Sequence, residues 1–187
     1  KFGAFDTSTS VYAKEADHIF FLNKTDYRNK GDTDGIIIPA LEKAIKSPEE
    51  KKFIIFHTLG SHYNYSHRYP KNFDIFRPSL NDINNYNMQD KKYKTELINS
   101  YDNSILYTDY ILNEVVETLK KEKNTESFLL YSSDHGEDLF DEKNKKSGHG
   151  NTTIYNYKIT SFVWYSNFYK KINHIEIIFL NKNKNRN

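Results

Sequence analysis

The sequence predicts an α/β domain, a layered and mostly parallel sheet with helices on both faces. Three observations carry that expectation. Short, continuously apolar runs recur at Lys52–His57, Ser127–Ser132 and Ser161–Ser166, the pattern of strands covered on both sides. A long amphipathic stretch separates the first two runs, and strands alternating with helices favour parallel layering. Finally, 15 Tyr and 13 Phe in 187 residues supply aromatic burial that a disordered chain lacks.

Taken in order, Asp17-His-Ile-Phe-Phe-Leu22 is a first strand candidate, ended by the polar stretch from Asn23 to Asp34. In Gly35–Ile45, Ile38, Leu41 and Ile45 are spaced for one helical face, with Pro39 tolerable only in the first turn. Lys52–His57 is the next strand. A long aromatic and polar loop follows, from Thr58 to about Asp90, and loops of that length are usually functional. The strongest helix runs from about Lys91 to Lys121, with Leu97, Tyr101, Ile105, Leu112, Val115 and Leu119 as its stripe and basic residues at its C-terminal end. Ser127–Ser132 leads into Asp134-His135-Gly136, and Ser161–Ser166 is the last internal strand. Ile175–Leu180 reads as a closing strand or an irregular ending.

Composition excludes several classes. Lys+Arg 27 against Asp+Glu 25 leaves a net charge of +2, too balanced to indicate a nucleic-acid surface. Without cysteine there is no disulfide framework, zinc ribbon or thiol nucleophile. Mean hydropathy is −0.82, and no apolar run approaches the roughly 18 residues of a membrane span. The opening Lys-Phe-Gly-Ala-Phe lacks both Met and a signal-peptide pattern, so the chain reads as part of a longer protein.

In parallel α/β sheets, functional residues collect beyond the carboxyl ends of strands, which marks the segments after Phe56 and after Tyr131. These hold His57, His62 and His67, then Asp134, His135 and, on the glycine-flanked turn Gly148-His149-Gly150, His149. Adjacent Asp and His at a strand end can direct oxygen and nitrogen donors at one cation. The same triplet also suits a plain turn in which Asp caps the next segment. Gly136 would let the chain turn sharply away. His18, His67 and His174 read as ordinary. Ser61, Ser132 and Ser133 lack a nucleophile elbow and read as strand-end hydroxyls. Glu137 to Lys146 reads as a solvated loop, placed where it could border a substrate entrance.

Phe56-His-Thr-Leu-Gly-Ser-His62 with Arg68-Tyr69-Pro70, Tyr101-Asp-Asn-Ser104 with Tyr107-Thr-Asp-Tyr110, and Ser132-Ser-Asp-His-Gly-Glu137 followed by His149-Gly150 together resemble the bacterial phosphoethanolamine transferases. That family is a branch of the alkaline phosphatase/sulfatase superfamily. The resemblance covers roughly Phe2 to Phe168, a partial, truncated catalytic domain, and leaves 169–187 as a divergent tail. It implies a zinc enzyme on the periplasmic face of the bacterial inner membrane, held there by an N-terminal transmembrane domain. It also implies transfer of phosphoethanolamine from phosphatidylethanolamine to a surface glycolipid, lipid A or core sugar, through a phospho-enzyme. By resemblance Asp134 and His135 are zinc ligands, and His62 and His149 bind the phosphoryl group or move a proton. The family's nucleophilic Thr and a further zinc-ligating Glu correspond to positions upstream of Lys1, and Thr7 and Thr9 are poor stand-ins, so the chain alone is expected to be inactive. The alternatives are a sulfatase or phosphoglycerol transferase of the same superfamily, or a non-catalytic fragment.

Overall fold

The computed structural model describes residues 14–23, 28–141 and 146–184. The Phe5-Asp6-Thr7 segment and Thr9 lie outside them. Two helices form the body: α1 (Ile37–Ile45) and the 28-residue α2 (Lys94–Lys121). Each is entered through a short 3-10 turn, Asp34–Ile36 and Lys91–Tyr93. Asp90 starts the second turn by accepting the Lys92 amide on its side chain, which satisfies one of the amides left unpaired at a helix start.

α2 is the spine, and two apolar clusters lean on it. Toward its C-terminal half, Tyr107, Ile111 and Val115 pack with Ile37, Leu41 and Tyr69. Toward its N-terminal half, Leu97 packs with Tyr65, Leu80, Met88 and Phe140. The long loop therefore contributes side chains to both clusters. The buried stripe of α2 is Leu97, Ser100, Ser104, Tyr107, Ile111, Val115 and Thr118, with Asn103 beside it. Expected stripe member Ile105 is exposed instead. The loop wraps α2 closely at its N-terminal half, and small polar residues fit under that backbone where a branched chain does not.

The sheet differs from expectation. β1 (Phe128–Ser132) pairs with β4 (Ser161–Tyr165) in an antiparallel register, Phe128 opposite Tyr165 and Ser132 opposite Ser161. Between them, β2 (Asp138–Leu139) and β3 (Ser147–Gly148) form a second antiparallel pair, followed by the single-turn α3 (Ile154–Tyr157). A parallel pair needs a crossover, usually a helix, and the described part of the 133–160 connection holds no helix longer than α3. A layered parallel sheet is thus not what the described residues form, although helical elements do lie against both faces of β1. Leu129 reaches the core under α1 and α2, while the Phe128 ring meets Tyr169 of α4 (Asn167–Ile172) at 5.6 Å.

Neither Asp17–Leu22 nor Lys52–His57 forms a strand among the described residues. Only their last apolar residues, Leu22 and Phe56, touch the core, and Phe53 is 91% exposed. A strand requires a neighbour to take its backbone hydrogen bonds, and among the described residues neither run is paired in a sheet. Ile175–Leu180, read as a closing strand or an irregular ending, is helical within α5 (His174–Asn183).

Candidate functional site

The turn after Phe56 is set by Asp34, whose carboxylate accepts the Gly60 amide at 2.7 Å and the Leu59 amide at 3.2 Å. Burial raises the Asp34 carboxyl above its ordinary value, opposed by these two amides and by the charge of Arg68. Arg68 completes the frame, donating from Nε to the His62 carbonyl and from Nη2 to the Tyr63 carbonyl. His62 is thereby held by its own backbone, and burial followed by the Arg68 charge lowers its pKa.

Across the cleft, Gly136 sits where a Cβ would lie 2.1 Å from the Tyr155 carbonyl oxygen. This glycine is required for close approach to α3, with its amide on the Asn156 carbonyl at 2.9 Å, rather than for the sharp turn the sequence suggested. The turn carrying His149 does use left-handed backbone, with Gly148 at φ 92° and Gly150 at φ 78°. It is anchored below by the fully buried Asp138, which takes Thr153 Oγ1 at 2.7 Å and Asn156 Nδ2 at 3.1 Å.

These frames bring all four predicted site residues into one contiguous cluster. The His62 and His149 rings are 6.4 Å apart, His135 and His149 are 4.1 Å apart, and His135 Nε2 lies 3.7 Å from Asp134 Oδ2. Each imidazole directs Nδ1 at a protein acceptor: His62 at the Tyr63 carbonyl, His135 at the Gly136 carbonyl and His149 at Glu137 Oε1. Those acceptors cannot donate, so each of these bonds, where it forms, needs its proton on Nδ1.

One member was missed. Glu137 was assigned to a solvated loop, yet its side chain is 4% exposed, against 86% for Asp134. The loop assignment fails because Asp138 and Phe140 are both buried, Phe140 inserting into the cluster of Tyr65 and Leu97. Alternating charge in the sequence concealed one apolar anchor and two satisfied carboxylates. His135, Glu137 and His149 offer ligand atoms within 4.8 Å of one another. His57, His18 and His174 remain exposed and outside this cluster.

The donor set suits a borderline divalent cation, since imidazole nitrogen and carboxylate oxygen are the usual partners of zinc. Asp134 Oδ2 and His135 Nε2, 3.7 Å apart, are close enough to share one ion with little movement.

This cluster of imidazoles and carboxylates lies just beyond the end of β1. The sulfatase family model matches residues 1–185, and the chain belongs to the sulfatase family. Within it the chain is similar to phosphoethanolamine transferases. It is 29% identical over 171 residues to phosphoethanolamine transferase EptC of Escherichia coli, covering 86% of this chain and 28% of that protein. It is 31% identical over 147 residues to the Kdo(2)-lipid A phosphoethanolamine 7''-transferase of Salmonella typhimurium, covering 71% and 25%. The zinc complex of the C-terminal periplasmic domain of Escherichia coli EptC superposes with a TM-score of 0.77 at 28% identity, covering 91% of this chain and 47% of that one. The corresponding domain from Campylobacter jejuni gives 0.61 at 36% identity, covering 73% and 44%. The chain thus spans under a third of the curated relatives and about half of the solved periplasmic domain.

Proposed function

We propose that this chain forms the C-terminal part of the catalytic domain of a zinc-dependent phosphoethanolamine transferase, with 169–187 a divergent tail. In this reading the donor is phosphatidylethanolamine, the acceptor is lipid A or a core sugar, and the work is done on the periplasmic face of the inner membrane. No described helix is long and apolar enough to cross a membrane; in this reading a separate N-terminal part anchors the protein. The observation that carries the reading is the convergence of His62, Asp134, His135 and His149 from two separate segments. The names and the zinc complex of the relatives support it.

Asp134 and His135 hold the zinc, with the remaining ligands and the threonine nucleophile supplied from outside this chain. When bound, zinc neutralises charge on a phosphoryl oxygen and lowers the pKa of a coordinated hydroxyl. His62 and His149 lie beside it: with Nε2 unprotonated such a ring accepts a proton from the incoming acceptor hydroxyl, and once protonated there it donates to a phosphoryl oxygen or to the leaving alkoxide. Transfer in two displacements needs that group held on a protein oxygen between steps. Lacking that nucleophile, the chain alone does not turn over.

The test joins this chain to the upstream part of Escherichia coli EptC that it does not match, and reads phosphoethanolamine on lipopolysaccharide by mass spectrometry. Addition that disappears in His62→Ala and His135→Ala is the expected result. Addition that survives both substitutions, or turnover by the chain alone, refutes the reading.

A further inference from the structure

His62 and His135 aim Nδ1 at carbonyls of the next residue along the chain. His149 differs. Its Nδ1 meets Glu137 Oε1 at 2.9 Å, twelve residues away in sequence, and the His149 turn is otherwise steered only through its backbone. Gly148 O accepts from Asn151 Nδ2 at 3.1 Å and from Asn156 Nδ2 at 3.4 Å. Neither bond constrains the imidazole. The ring itself meets the His135 ring at 4.1 Å, the His62 ring edge-on at 6.4 Å and, through a hydrogen bond, the Glu137 carboxylate.

Glu137 is in turn fixed. Its other oxygen, Oε2, accepts the hydroxyl of Tyr65 at 3.0 Å, and Tyr65 is fully buried with its ring edge-on to Tyr101 at 5.1 Å. Burial first, and then Glu137, push the Tyr65 phenol far above its ordinary value, so it remains a donor. Both carboxylate oxygens are therefore occupied, one by the buried tyrosine and one by the histidine at the cleft.

We infer that Glu137, clamped by Tyr65, is the positioning residue of His149, holding the ring as the Nδ1–H tautomer so that the unprotonated Nε2 faces the cleft. Glu137 then acts through His149, to which it gives Oε1 while Tyr65 holds Oε2. The consequence for transfer rests on the proposed function, in which His149 receives a proton at Nε2 from an incoming hydroxyl. The tautomer itself stands independently of that reading.

The test is a long-range proton–nitrogen correlation spectrum of the metal-free chain at about pH 8, where imidazoles are neutral. His149 is assigned by its loss in His149→Gln. A protonated Nδ1 and a bare Nε2 are expected for His149 in the unaltered chain. In Glu137→Met, which keeps the side-chain length and removes the acceptor, the Nδ1–H to Nε2–H ratio should fall by at least about tenfold, the weight of one charge-assisted hydrogen bond. His62, whose Nδ1 is bonded to a backbone carbonyl, should keep its pattern in the same sample. A His149 protonated on Nε2 in the unaltered chain overturns the inference, as does a Glu137→Met spectrum with His149 unchanged. Should Glu137→Met collapse the dispersion of every histidine, the unaltered chain alone decides. Loss of transferase activity in the fused enzyme with this tautomer pattern intact would reject the proposed function and leave the positioning role standing.

Discussion

Arg68 donates from Nε to the backbone carbonyl of His62 across 2.9 Å. A guanidinium whose residue is 5% exposed thus holds the backbone of a cleft histidine, while Nη2 takes the neighbouring Tyr63 carbonyl at 3.0 Å. Lysine cannot reproduce this fork, because its single ammonium has no fixed planar geometry. Arg68→Lys is expected to weaken folding by about 1–3 kcal/mol, the cost of leaving buried acceptors unpaired. It should also shift the His62 ring resonances. Urea unfolding with histidine spectra checks both, and a variant with unchanged midpoint and unchanged His62 would count against the clamp.

Asn103 lies fully buried in α2 and grips one loop residue with both ends of its amide. It accepts the Phe76 amide at 2.9 Å and donates to the Phe76 carbonyl at 3.0 Å. It also accepts the Ile75 amide at 3.0 Å. Asn103→Ala leaves several backbone groups without partners and should cost roughly 2–4 kcal/mol, more than the ~1 kcal/mol of an exposed hydrogen bond. A loss under ~1 kcal/mol in denaturant unfolding would mean that the loop repairs itself with water.

Gly136 tolerates no side chain, since an added Cβ would stand 2.1 Å from one carbonyl oxygen and 2.7 Å from another. Gly136→Ala forces Asp134–Glu137 away from α3 and is expected to destabilise by about 1–3 kcal/mol. It should also displace His135. A variant as stable as the parent with His135 unmoved in its spectrum would contradict the close packing.

His62 and His67 are both held below the 6.5 of an unperturbed imidazole, by burial first and then by the charge of Arg68. The unfolded chain therefore takes up protons at a higher pH than the folded chain does. Stability is full above pH 6.5 and falls as pH drops below that value toward the folded pKa. Asp34 has the opposite sign: its raised carboxyl costs nothing below 3.8 and begins to cost as pH rises past that value. Urea midpoints between about pH 7.5 and 5.5 should fall in the parent and fall less in His67→Gln. A midpoint that rises on acidification across that range would reverse the sign and refute the assignment.

Phe53, Phe20 and Leu130 expose apolar surface at 91%, 69% and 66%, and large apolar side chains left in water favour association. The purified chain is expected to bind a hydrophobic dye and to self-associate. Phe53→Lys combined with Leu130→Lys should lower the mass seen by light scattering while changing stability by no more than ~0.5 kcal/mol per site, as exposed positions do. A monomeric, dye-silent parent chain would dismiss the expectation.

Local pattern was enough to locate α1, α2, β1 and β4, because spacing on one helical face and short apolar runs are properties of adjacent residues. The histidine and aspartate positions were legible for the same reason: a strand end followed by Asp134-His135-Gly136 can be read along the chain. The pairing direction of β1 and β4 could not be read there, since it depends on the path taken between them. Nor could the fate of Lys52–His57, whose apolar run makes a strand only where another strand accepts its hydrogen bonds. Glu137 is the sharpest case. Among Asp138, Asp141 and Lys146 it looks like one more solvated charge, and only the folded packing of Phe140, with Tyr65 arriving from a distant loop, turns it inward to His149. Sequence determined which side chains were available for chemistry, whereas tertiary structure decided which of them were desolvated and what they faced, because burial and hydrogen-bond partnership arise from contacts between remote segments.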